Sequence, residues 1–143
     1  MKGDVIPSAD HLALHCQPSA FLERDASGNP TGLNTDAFRV DEDGISTNWL
    51  EYEGGDYQAC FLKTCELLKR VRTVKKKSHR IGIMCVGQIE ATGQAVGKAV
   101  QAVHDPLDAP PPNPGHALVV GIQPDDRELL QALTLLVELR NFA

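Results

Sequence analysis

Apolar and polar positions alternate first at His11–Cys16, HLALHC, where Leu12, Leu14 and Cys16 fall on one side and His11, Ala13 and His15 on the other. That period of two predicts a strand with one buried face. Pro18 closes it, and Gln17 to Thr35, with SGNPTG at its middle, reads as a turn-rich loop. Residues 37–40 extend before the tight turn DEDG. Ile45 to Tyr52, ISTNWLEY, is β-branched and aromatic, and predicts a second strand with Ile45, Thr47, Trp49 and Glu51 on one face.

After Gly54-Gly55 the period changes. Asp56 is a good N-cap, and Tyr57, Phe61, Thr64, Leu68 and Val71 recur at helical spacing. They predict a long helix that runs into KRVRTVKKKSHR. Ile81 to Ile89, IGIMCVGQI, is the most apolar stretch and predicts a central strand. A glycine-interrupted helix is expected from Gly93 to Val103. The segment from His104 to Gly115, HDPLDAPPPNPG, is a proline-rich loop, and Ala117 to Ile122 is a strand. Asp125 and Glu128 have capping-box spacing for a last helix whose interior, Leu129 to Val137, carries no charge.

These elements predict one domain of α/β or α+β class, with a sheet of about four strands covered by two main helices. A length of 143 residues with 42% hydrophobic and 23% charged suits one globular unit with an aliphatic core. The opening MKGDVIPSAD lacks the apolar run of a signal peptide, and no run approaches the ~18 apolar residues of a membrane span. The reading is therefore cytosolic, with no membrane partner. Cys16, Cys60, Cys65 and Cys85 sit in apolar segments and are read as small buried hydrophobes.

Charge changes the picture. Lys69 to Arg80 holds half of the 14 lysines and arginines and no acid, while the chain as a whole is negative by 5. Arg70, Arg72, Lys75, Lys76, Lys77 and Arg80 are thus expected to form an anion-attracting surface. No aromatic residue is interleaved with them, so phosphate contact with nucleic acid is possible but base stacking is not built in. The last helix has leucines on more than one face, which fits either a helix buried on two sides or one that docks against a partner or second subunit. In the docking form Leu129, Leu133, Leu136 and Val137 make the contact.

Catalytic patterns are sparse. His104 and His116 flank the proline-rich loop with Asp105 beside the first, an arrangement suited to a general base or proton shuttle if the loop brings them together. Arg72, Arg80 or the lysines would then hold a phosphate-bearing or nucleotide substrate. His11 and His15 lie ~13 Å apart on a strand, too far to share a metal, and no metal or cofactor is expected. The His-x-Ser/Thr pattern of paired-histidine phosphoesterases fails at Ala13 and Leu118. His11 or His15, Ser46-Thr47, and Glu51 or Glu138 echo ADP-ribosyltransferase-like folds only loosely. Neither GxSxG nor Walker spacing occurs.

The blocks Pro18-Ser19-Ala20-Phe21, Ile45 to Glu51 and Pro114-Gly115-His116-Ala117 resemble those of small uncharacterised bacterial proteins. The resemblance spans most of the chain, implies a stand-alone bacterial cytosolic protein and brings no assigned activity. The leading expectation is an interaction module that docks through its last helix and presents a basic helix end to an acidic or phosphate-bearing partner. A small histidine-dependent enzyme is the alternative.

Overall fold

The computed structural model describes residues 2–143. Strand β1 (His11–Cys16) comes first, then β2 (Val40–Asp41), β3 (Gly44–Trp49) and helix α1 (Tyr57–Val71). Strand β4 (Arg80–Cys85) runs directly into α2 (Val86–Ala95), followed by β5 (Gln101–His104) and β6 (His116–Val120). Helix α3 (Arg127–Thr134) and strand β7 (Glu138–Arg140) complete the order. All pairings are antiparallel, in the order β5-β6-β3-β1-β4-β7, with β2 added to β3.

The expected sheet of about four strands under two main helices is thereby corrected. Among the described residues the sheet has seven strands, three α-helices pack with it, and the class is α+β. The three additional strands are only two, four and three residues long, too short for alternation to register. The apolar run 81–89 was expected as one strand, but it changes to helix at Val86 without a loop. The helix expected over 93–103 is in fact the end of α2, a turn and β5.

Alternation along β1 divides the core in two. Leu12, Leu14 and Cys16 join Met84, Ile45, Ala117 and Val119 beneath α2 and α3. Ala13 joins Ile81 and Ile83 beneath α1, which contributes Cys60, Phe61, Cys65 and Leu68. Each large side chain buried this way contributes about 1.5–3 kcal/mol. Asp56 caps α1 as its sequence position predicts, accepting from the Ala59 N–H at 2.8 Å.

Helix α3 is shorter than expected, and Leu129, Leu130 and Leu133 are buried in the chain's own core. Its expected capping box is not formed, because Asp126 occupies the N-cap and accepts from the Gln123 N–H at 2.7 Å. Leu136 and Val137 are half-buried and turn back over the sheet. A β-carbon on Gly82 would lie 2.6 Å from Val137 Cγ1, so glycine there allows the α3–β7 connection to press onto β4. Only Leu135 stands out, at 87% exposure. The two apolar faces of this segment are thus taken up internally. Among the described residues no helix is long and apolar enough to cross a membrane.

Candidate functional site

The basic segment begins where α1 ends. Arg72 caps the helix with its backbone N–H on the Leu68 carbonyl at 2.9 Å, and the chain then runs extended to a turn in which Lys75 O accepts from Ser78 N and His79 N at 3.1 and 2.7 Å. Val71 and Val74 pack against the core under α1, and His79 is buried. These apolar and histidine anchors leave the intervening charges outside. Arg70, Arg72, Lys75, Lys76 and Lys77 are all exposed. Among the described residues, none of the five forms an ion pair with a carboxylate.

The other cations of the run are occupied. Lys69 donates to the Ala143 oxygen. Arg80 is buried at the start of β4, where its guanidinium donates to the Lys77 and His79 carbonyls at 3.0 and 2.9 Å and lies 3.5 Å from Asn29 Oδ1. It ties down the basic turn from beneath instead of extending the surface. Arg70 also lines a groove of about 180 Å³ with Tyr52, Lys63, Leu67 and Pro114.

The five histidines fall into separate settings. His104 pairs with Ala117 across β5 and β6, so it shares that residue's face, while His116 projects to the opposite side of the sheet. The two do not meet in one pocket. His104 donates from Nε2 to the Pro114 carbonyl at 2.7 Å and packs on Trp49 and Tyr52, closing the base of the proline-rich loop. Asp105 serves the other histidine: His116 Nδ1 lies 3.0 Å from its carbonyl and 3.2 Å from its carboxylate.

His15 and His79 pair through Nε2 and Nδ1 at 2.8 Å directly behind the basic turn. Burial first, then His79 and Arg72, lowers the pKa of His15 to about 4. The pKa of His79 is lowered as well, by burial and then by Lys75. His11 is bound by Glu51, whose carboxylate reaches its Nδ1 at 2.6 Å and its backbone N–H at 2.8 Å.

Cysteine placement departs from expectation at one position. Cys16, Cys60 and Cys65 are buried, and burial raises the pKa of each, that of Cys16 to about 12. Cys85 is half-exposed and forms the N-cap of α2. The sequence signal was present but ambiguous: an apolar run reads alike whether it stays a strand or turns into a helix at its midpoint. Comparison of the chain with protein-family models, with curated proteins and with solved structures finds no match.

Proposed function

We propose that this chain is a binding module of the bacterial cytosol that presents Arg70, Arg72, Lys75, Lys76 and Lys77 to an acidic protein partner. The observation that carries the reading is the set of five exposed cations without carboxylate partners, on a segment pinned by Val71, Val74, His79 and Arg80. A pinned segment loses less conformational freedom on association than a floppy tail, so more of its attraction appears as affinity. The negative remainder of the molecule repels the same partner elsewhere and so orients its approach. Arg70 borders a groove lined by Tyr52 and Leu67 together with Glu53 and Glu66, where a partner's apolar side chain can anchor beside the basic face. Four free cysteines support a reducing compartment.

Docking through Leu129 and Leu133 is not part of this reading, because both side chains already fill the core. Joint catalysis by His104 and His116 is left out as well, because the sheet separates them. Fluorescence anisotropy with a labelled Asp/Glu-rich peptide tests the proposal. Reversing Lys75, Lys76 and Lys77 to Glu removes at least three exposed pairs at about 0.5 kcal/mol each, an affinity loss of roughly tenfold or more. The melting temperature should stay within a few degrees. Equal peptide binding by wild type and triple variant would refute the proposal, and tighter binding to duplex DNA than to the peptide would transfer the surface to nucleic acid.

A further inference from the structure

At the other end of the sheet face beneath α1 lies a polar cleft of about 520 Å³, bordered by His11, Tyr57, Cys85, Gln88, Glu138 and Arg140. Its side chains include a nucleophile, a base and an anion receptor. His11 and Cys85 stand opposite each other in the β1–β4 ladder. Their side chains therefore leave the sheet on one face, with β-carbons about 4.5–5.5 Å apart. Glu51 grips His11 from behind at Nδ1 and at the backbone N–H. That grip fixes the imidazole tautomer and leaves Nε2, which has no hydrogen bond among the described residues, free to take a proton.

Cys85 sits where β4 becomes α2, at the N-cap position of that helix. At rest its thiol points to the Ser8 carbonyl at 3.6 Å, so an approach to His11 requires a change of χ1. Arg140 forms no ion pair among the described residues. Its guanidinium carbon lies 4.2 Å from the Phe61 ring centre and 5.8 Å from that of Tyr57, and one nitrogen is 3.4 Å from the Tyr57 hydroxyl. Tyr57 in turn meets His11 edge-on at 5.5 Å. One phenol ring thus separates the base from a guanidinium with spare donors. Glu138, two residues earlier on β7 and exposed, confines any bound anion to the Arg140 end.

We propose that His11, Cys85 and Glu51 form a catalytic centre for acyl transfer from a small ester or thioester that carries a carboxylate. His11 Nε2 takes the Cys85 proton as sulfur attacks the acyl carbon. A carbon–sulfur bond forms, the bond to the departing alcohol or thiol breaks, and His11 returns the proton to that leaving group. Water then attacks the thioester and gives one proton to His11; a carbon–oxygen bond forms, the acyl carbon–sulfur bond breaks to release the carboxylic acid, and the proton goes back to the Cys85 sulfur. No oxidant or reductant enters. Arg140 pairs with the substrate carboxylate, and the Gln88 amide and Tyr57 hydroxyl, which border the same cleft, donate to the carbonyl oxygen as it gains charge. Glu51 is a positioning residue that acts through His11.

Mass spectrometry after brief treatment with p-nitrophenyl acetate and with mono-p-nitrophenyl glutarate tests this directly. The expected result is acylation of Cys85 alone among the four cysteines, faster with the glutarate, with the preference lost in Arg140→Leu. His11→Asn should lower the acylation rate at pH 7 on the order of a hundredfold. Glu51→Gln should shift the pH profile of iodoacetamide alkylation at Cys85, which a purely structural glutamate would leave in place. The groups facing His11 during that titration are Glu51, Tyr57, Cys85, Glu138 and Arg140. No adduct on Cys85, or equal acylation and alkylation rates in wild type and His11→Asn, would overturn the proposal.

Discussion

Acidification should loosen the basic turn from the sheet, and the His15–His79 pair sets the window. Their nitrogens are 2.8 Å apart and the rings 4.9 Å apart, with the Phe142 ring edge-on to His15 at 5.6 Å. One imidazole donates and the other accepts, an arrangement that fails once both carry two protons. The folded protein holds the pKa of His15 near 4, chiefly by burial and then through His79 and Arg72, against an ordinary value of 6.5. Between those values the unfolded chain binds a proton that the folded chain refuses. Stability is therefore intact above about pH 6.5, falls as pH drops, and the whole contribution is gone below about pH 4. A shift of that size corresponds to about 3 kcal/mol at most. His15 is only half-buried, so solvent screening reduces the figure to roughly 1–2 kcal/mol. His79 is shifted the same way and adds to the same slope. An NMR titration of the imidazole Cε1 protons reads the effect residue by residue, and urea unfolding at several pH values gives its energetic size. A His15 titration midpoint near 6.5, or a pH–stability slope unchanged in a His15→Phe, His79→Leu variant, would refute the reasoning.

The helix that fills the core gives a contrast between neighbours. Leu133→Ala should cost about 2–5 kcal/mol in urea unfolding, because it opens a cavity, whereas Leu135→Ala should stay within about 0.5 kcal/mol. Equal effects would mean that α3 is not packed as described. Asp56→Ala should lower stability by about 1 kcal/mol through loss of the α1 N-cap, and Asp56→Asn should retain most of it. Gly121 has φ +93°, and a β-carbon there would fall 2.3 Å from the Ala99 carbonyl oxygen. Gly121→Ala should accordingly cost about 1–3 kcal/mol in the same assay, and a neutral result would contradict the turn geometry.

How much of this was legible depended on the length of each signal. β1 alternates over six residues and was readable to the residue; α1 announces itself by Asp56 and a 15-residue stripe. β2 and β7 are strands only because β3 and β4 offer them partners, and nothing in two or three residues encodes that pairing. The boundary inside 81–89 was hidden because Val86 and Ile89 are buried whichever element carries them. Within the basic run, the sequence separated positive from negative but not outer from inner. Arg80 belongs to the next strand and turns its guanidinium inward to backbone carbonyls, which charge counting cannot reveal. His104 and His116 flank one loop in sequence, yet strand pleating sends them to opposite faces. Cys85 and His11 are 74 positions apart and meet only through the register of two strands.

Mapping the amide chemical shifts of the ¹⁵N-labelled protein on addition of an Asp/Glu-rich peptide tests the central claim most directly. The account predicts perturbations concentrated at residues 70–77, shrinking as salt shortens the range of the attraction. Perturbations centred instead on α3 and Leu135, or none at any peptide concentration, would contradict it.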